Sequence, residues 1–207
     1  MLGVDWGAAI NCLSVNQHLV PANEFRTLKS MYVLGDQKQV QEDLFNQFHD
    51  YYQYHDCKEV DLWCDHSGNH HTGVTKYTRA QMAQRQLEGK GWTVRLRTIG
   101  GSNPRHEAKH VLWNNILAEK DSRYPRYRIN RSNCRELWIS MTFARARAGS
   151  RGEIKKDKSV ERSNKIARQH ATDLSDANDT PIFGLFAKLL KQNNSSTSGL
   201  MGVRGNR

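Results

Sequence analysis

Aspartates stand at widely separated points of the chain, in contexts that let folding gather them. Asp5 closes the apolar run Leu2-Gly3-Val4 and is followed by Trp6-Gly7. Asp65 closes a second apolar run, Val60 to Cys64. Asp173 and Asp176 lie three residues apart, a spacing that puts both on one face of a helix. Two carboxylates at strand ends and a helical pair can converge on one point. Carboxylate oxygens are the hard ligands that Mg2+ and Mn2+ prefer. Two such ions, roughly 4 Å apart, stabilise both the attacking and the leaving oxygen at a phosphodiester, so the pattern points to in-line hydrolysis by a metal-activated water. Taken singly, each acid has an ordinary explanation: Asp5 and Asp65 as loop-start residues, Asp173 as a helix cap. Asp179 continues the helical face one turn farther in and is expected in solvent.

A basic stretch precedes the Asp173/Asp176 pair. Residues 145–168 hold Arg145, Arg147, Arg151, Lys155, Lys156, Lys158, Arg162, Lys165 and Arg168 against only Glu153, Asp157 and Glu161. Over the whole chain Lys and Arg outnumber Asp and Glu by 31 to 21, a formal net charge of +10. That excess suits a polyanion, nucleic acid first. Arg145, Arg147, Arg151, Lys155, Lys156, Lys158 and Arg162 are the expected phosphate contacts, which position a duplex without reading its sequence. Lys155 and Lys156 fall in an expected hairpin, Gly152 to Lys158, from which one can reach the scissile phosphate. Arg95 and Arg97 are secondary candidates.

Two histidine patterns invite a zinc reading. His106-Glu107-Ala108-Lys109-His110 matches H-E-x-x-H, but Asn103-Pro104-Arg105 puts it at the start of its helix, and the third ligand would have to be something like Glu136. Cys64, His66, His70 and His71 crowd one short loop with no second pair elsewhere. Neither pattern supports a zinc site. Tyr51, Tyr52 and Tyr54 read as helix packing and rim.

The elements that must hold the acids follow from periodicity. Leu2–Trp6 reads as a buried strand, with 11–17 and 24–33 as its antiparallel partners. Asp36 is expected to cap a helix that buries Val40, Leu44, Phe48 and Tyr51. Val60–Cys64 is a second buried strand. A helix follows over about 78–88, then a strand over 92–97. A helix over about 104–119 should turn Val111, Leu112 and Ile116 inward. Residues 133–148 read as a further helix, and the last helix runs over about 172–191, with Pro181 either kinking it or marking its true first turn. Strands first, then strands alternating with helices, imply an α/β mixed sheet with helices on both faces. One domain is expected over 1–191, followed by a flexible basic tail over 192–207. Four cysteines without C-x-x-C spacing read as free thiols in a reducing compartment. With neither a membrane span nor a signal peptide, an intracellular, cytoplasmic protein is expected.

With Gly3-Val4-Asp5-Trp6-Gly7, Leu62-Trp63-Cys64-Asp65 followed by Ser67-Gly68, and Asp173-Leu174-Ser175-Asp176-Ala177 in view, the chain resembles the C-terminal nuclease domain of the large subunit of tailed-phage terminases. The resemblance covers most of residues 1–190 and implies an RNase H/RuvC-like fold. It implies an endonuclease that cuts double-stranded DNA during genome packaging in a bacterial host cell, with two Mg2+ or Mn2+ ions as cofactors. Asp5, Asp65 and Asp176 would be the catalytic, metal-binding acids, and Asp173 would assist the second metal. Terminase large subunits also carry an ATPase motor, but this chain has no G-x-x-x-x-G-K-[ST] loop. It is expected to be an isolated nuclease domain, excised or separately encoded, with the ATPase domain, small subunit and portal as partners. The alternatives are a RuvC-like Holliday-junction resolvase and a non-catalytic DNA-binding module.

Overall fold

A computed structural model describes residues 1–71, 75–98, 103–150, 152–162 and 165–197, the side chains of 98, 162 and 191–197 excepted. Among these residues, eight strands and five helices follow one another as β1 (Leu2–Trp6), β2 (Ile10–Leu19), β3 (Glu24–Leu34), α1 (Gln41–Tyr52), β4 (Glu59–Cys64), α2 (Arg79–Glu88), β5 (Thr93–Thr98), α3 (His106–Ala118), β6 (Arg126–Ile129), α4 (Arg135–Phe143), β7 (Ala146–Ala148), β8 (Ile154–Lys156) and α5 (Asp173–Thr197). Six strands form one sheet in the order β5-β4-β1-β2-β3-β6, and β7 and β8 make a separate hairpin. β1, β2 and β3 are antiparallel neighbours, whereas β4, β5 and β6 join by parallel pairing. This is the α/β mixed sheet expected from the sequence. No described helix is long and apolar enough to cross a membrane.

Alternation along the strands divides the core. Leu2, Val4, Leu13, Val15 and Leu62 face α1 and α2 through Leu44, Phe45, Phe48, Ala83 and Leu87. The opposite face carries α3, α4 and α5, packed through Leu112, Ile116, Leu137, Leu174 and Ile182. Because a strand residue and its second neighbour share a face, Gly3 and Asp5 both point toward α5. Helices therefore cover both faces, and α5 is the one that meets Asp5.

The crossing of α5 over β1 is close. A Cβ added at Gly3 would lie 2.2 Å from the Ala177 carbonyl oxygen and 2.7 Å from Pro181 Cδ. Pro181 sits inside the helix and lacks an N–H, so the Ala177 carbonyl four residues back loses its helical donor. The Ser14 hydroxyl of β2 reaches that carbonyl at 3.4 Å. Further along, Gly184 leaves room for the Trp63 ring of β4, 2.0 Å from where its Cβ would stand. A buried polar knot completes the seat. The Thr27 hydroxyl lies 3.1 Å from Asn178 Oδ1 and 2.8 Å from Asn16 Oδ1, and Asn178 Nδ2 donates to the Tyr127 hydroxyl at 3.0 Å.

Several local expectations are corrected. Asp36 lies in a 3-10 turn, Gly35–Gln37, and α1 begins after Val40, whose N–H donates to Asp43 Oδ2 at 2.8 Å. Val40 and Tyr51 are exposed, and Phe45 takes the inward place beside Leu44 and Phe48. Val111 is also exposed, while the neighbouring Trp113 packs on the core. The segment 133–148 divides into α4 and β7, and β6, short and flanked by arginines, has no counterpart among the expected strands. The second helix begins as read, with Thr78 and Gln81 capping each other. The last helix runs to Thr197, and the remainder of the expected tail lies outside the described residues. None of the four cysteines forms a disulfide; Cys57 is exposed and the other three are buried.

Replacing Gly3 by Ala should lower stability by about 3 kcal/mol, because its methyl meets helix backbone rather than a side chain that can rotate away. Urea unfolding of the variant measures the loss, and an unchanged midpoint would show that the helix does not sit against β1.

Candidate active site

The acids meet where β1 and β4 end. Parallel pairing sets Gly3 beside Trp63 and Val4 beside Cys64; one step farther, Asp5 stands beside the point where the chain leaves β4 at Asp65, near enough for the Asp65 charge to act on it. Asp173 and Asp176 lie in the first turn of α5. Asp173 Oδ1 lies 3.7 Å from where a Gly7 Cβ would stand, just past the end of β1. The positive end of the helix dipole therefore faces the cluster and favours carboxylates there.

Each acid has its own surroundings. Asp5 is deeply enclosed: burial, then the charges of Asp176 and Asp173, push its pKa up to about 8, with Lys158 opposing and Asp65 adding to the rise. No hydrogen bond among the described residues counters that rise. Asp65 starts a 3-10 turn and accepts hydrogen bonds from the Ser67 amide and hydroxyl through Oδ1, the loop-start role open to it from the sequence. Asp173 pairs with Arg168 at 2.7 Å, yet burial still lifts its carboxyl to about 6. Asp176 is the opposite case. Burial alone would raise it, but Lys156 at 2.6 Å and Lys158 at 2.7 Å hold it well below the usual carboxylate range.

Lys156 is the hairpin residue that reaches deepest. Its side chain is 13% exposed, and its ammonium bridges Asp176 and Asp179 at 2.6 and 3.0 Å while donating to the Ser175 hydroxyl at 2.9 Å. Burial would lower the pKa of Lys156, but Asp179 and Asp176 outweigh it and hold the group charged. Asp179, expected in solvent, is instead buried: its Oδ1 accepts from Trp113 Nε1 at 2.6 Å and its Oδ2 faces Lys156. Glu161, counted at first only as part of the charge balance, belongs to the same cluster, facing Lys158 and the Thr172 hydroxyl. Neither Asp179 nor Glu161 sits at a strand end, so the placement that singled out Asp5 and Asp65 had no hold on them.

The other candidates divide. Lys155 pairs with Glu153 at 2.6 Å, and Arg145 and Arg147 are exposed on or beside the hairpin. Arg151 and the Arg162 side chain lie outside the described residues. Arg95 and Arg97 are tied to Asp61 on the sheet surface. His106 begins α3, as the sequence indicated for H-E-x-x-H. Cys64 is buried in the core, with its Sγ 2.5 Å from where a Cβ at Gly68 would stand.

Among the described residues, no three His, Cys, Asp or Glu side chains are drawn together tightly as ligands of one ion. The chemistry of the donors nonetheless fits divalent cations. Asp173 Oδ2 is a buried carboxylate oxygen without a hydrogen-bond partner among the described residues. Among the described residues, the carboxylates Asp5, Asp65, Asp173, Asp176, Asp179 and Glu161 outnumber the facing cations Lys109, Lys156, Lys158 and Arg168, and Asp5 bears the imbalance.

No protein-family model and no curated protein matches the chain. Among solved structures, it is similar to the nuclease domain of the g2p large terminase from bacteriophage SPP1 with bound Mn, at TM-score 0.48 and 12% identity over 82% of each chain. It is also similar to a mutant nuclease domain of the large terminase subunit gp2 of bacterial virus Sf6 with manganese and beta-thujaplicinol, at TM-score 0.47 and 11% identity over 88% of this chain and 84% of that one. A Fowlpox virus resolvase in complex with Holliday junction DNA follows at TM-score 0.32 and 10% identity, over 60% of this chain and 78% of that one. At these values no residue role passes from those proteins to this chain.

Two measurements test the electrostatics. A carboxyl raised on folding, as Asp5 is from 3.8 to about 8 and Asp173 to about 6, contributes stability in full below about pH 4 and loses it as pH rises through the folded value. In EDTA, urea stability should therefore fall between pH 5 and pH 8.5 as these two groups ionise, and Asp5→Asn should be more stable than wild type at pH 8.5 by about 1 kcal/mol or more. Equal stability of the two proteins at pH 8.5 would contradict the arrangement. Lys156→Met removes the charge that faces Asp176 and Asp179 and should cost about 3 kcal/mol at pH 7, measured by the same unfolding experiment.

Proposed function

We propose that this chain is a metal-dependent endonuclease domain that hydrolyses phosphodiester bonds of double-stranded DNA, serving genome packaging as the nuclease of a terminase large subunit. One observation carries the reading: a carboxylate cluster short of positive charge, at the shared edge of β1, β4 and α5, with a basic hairpin across it. Asp5, Asp65, Asp173 and Asp176 are the side chains that would hold two Mg2+ or Mn2+ ions. Bound there, such ions supply Lewis-acid charge stabilisation at the attacking and leaving oxygens and a water acidic enough to attack.

The chain's own residues do the rest. Ionised Asp176 keeps the pocket negative, and Asp5 gives up its proton as a cation arrives, so a cation enters in preference to a bare phosphate. Lys156 and Lys158 are ammonium groups already aimed at the cluster, and they can exchange a carboxylate oxygen for a phosphate oxygen as the backbone arrives. Arg145, Arg147 and Lys155, on or beside the hairpin, would meet the flanking duplex and contribute salt-dependent, sequence-independent affinity. Ser67 holds Asp65 through Oδ1 and leaves Oδ2 to turn toward the pocket. In a packaging assembly the ATPase domain, small subunit and portal would deliver the DNA.

Plasmid digestion with Mg2+, Mn2+ or EDTA tests the reading. Nicking and linearisation should require either metal, and Asp5→Asn, Asp65→Asn and Asp176→Asn should each lower the rate by about 100-fold or more without loss of fold or DNA binding. Undiminished cleavage by all three variants would end it. Salt-dependent DNA binding with no cleavage under either metal would instead identify a non-catalytic module.

A further inference from the structure

The H-E-x-x-H helix, left without a role as a zinc motif, borders a cavity. A pocket of about 210 Å³ opens between α3, the end of α4, the hairpin and the first turn of α5. Its apolar lining comes from Trp113, Leu117, Met141 and Ile154. This volume falls below the ~300 Å³ at which pockets begin to take drug-sized ligands, so the occupant is about one flat ring system. Lys109, Arg145 and Lys155 also border the pocket, so an occupant that carries phosphates can leave them on cations outside.

His110 and Asn114 supply a polar edge. Asn114 Nδ2 lies 3.0 Å from His110 Nε2. An amide nitrogen donates, so His110 Nε2 accepts in this contact and the ring N–H is left on Nδ1. The pair then presents an imidazole N–H, a second amide N–H and the Asn114 carbonyl oxygen. Mixed donors and acceptors of this kind match the edge of a nucleobase. The pocket shares Lys156, Ser175 and Asp179 with the acid cluster, and through Lys156 it is one ion pair away from Asp176.

We propose that this pocket receives one unpaired nucleobase of a DNA strand, with the adjoining phosphates on Lys109, Arg145 and Lys155. The substrate class of the neighbouring site is then DNA with an unpaired nucleotide beside the scissile bond. That the ligand is DNA rests on the nuclease reading; that one base leaves the stack does not follow from it. A base already unpaired is favoured, because drawing one out of an intact duplex costs stacking and pairing energy.

The test uses the full chain carrying Asp5→Asn, so that cleavage does not intervene, and 2-aminopurine as the probe base. Three ligands are compared: duplex DNA with 2-aminopurine in a one-nucleotide bulge, the same duplex with the base paired, and the free 2-aminopurine deoxynucleoside monophosphate. The bulged duplex should bind about tenfold more tightly than the paired one, with altered emission from the probe. Asn114→Leu and Leu117→Glu, both at exposed positions of α3, should each bring the affinity ratio toward one and restore the emission of the free bulge. Equal affinity and unchanged emission for the two duplexes would overturn the pocket and leave the nuclease reading standing. Binding of the free nucleotide alone would assign the pocket to mononucleotides and overturn the proposal too. Failure to bind any of the DNAs would remove it together with the reading it rests on.

Discussion

Helix α5 brings its aspartates to the sheet edge only because β1 has no side chain where the two cross. The Ala177 carbonyl occupies space that any Cβ at residue 3 would need. That carbonyl is also the one Pro181 deprives of its helical donor, and the Ser14 hydroxyl stands within reach of it. A rule of helix chemistry and a rule of packing thus meet at one point. Around it, the Thr27, Asn178 and Tyr127 knot sets the rotation of the helix, since buried polar groups need partners and these are provided only in one orientation. Asp173 and Asp176 then face the strand ends, and the apolar face of α5 covers the sheet.

The cost of that arrangement is electrostatic. Carboxylates in one enclosed pocket repel each other, and burial disfavours their charged forms further. The hairpin β7–β8 offsets part of this by inserting Lys156 between Asp176 and Asp179, with Lys158 beside them. The compensation is uneven: Asp176 is held ionised, whereas Asp5 is pushed toward its neutral form. A polar interior this lopsided does little for stability, and an imbalance centred on a strand-end aspartate supports the proposal of a ligand site there. On that proposal, the lysines that neutralise the pocket would also meet an incoming phosphate, so both tasks would fall to one hairpin. The pocket beneath α3 extends this economy, for Asp179 and Lys156 form part of its wall.

How much was readable from the residues can be judged element by element. Leu2–Trp6 and the strand ending at Cys64 were legible because their apolar runs are short and end at Asp5 and Asp65, which faces and termini require. The helix over about 78–88 was legible at its start, where the structure shows Thr78 and Gln81 capping each other. Asp36 misled, because a capping residue in the right place has no effect when the chain first makes a 3-10 turn. Val40 and Val111 misled for another reason. Helical spacing gives a face but not which edge of it a sheet will cover, and the covering took in Phe45 and Trp113, the residues after Leu44 and Leu112, rather than Val40 and Val111. β6, with an arginine at every second position, has a pattern that only its place beside β3 explains.

The order of residues determined what was set within a few neighbours: apolar strands closed by Asp5 and Asp65, an acidic first turn at Asp173 and Asp176, and a surplus of arginine and lysine ahead of it. Tertiary structure alone decided the rest. It set Asp5 near Asp65, turned Lys156 inward, buried Asp179 against Trp113, brought Glu161 into the cluster and placed His110 and Asn114 beside a cavity. These depend on contacts between segments tens to more than a hundred residues apart. Charge–charge energies and hydrogen bonds follow distance in space, and spacing along the chain does not encode that distance until packing at Gly3, Ser14 and Gly184 fixes it.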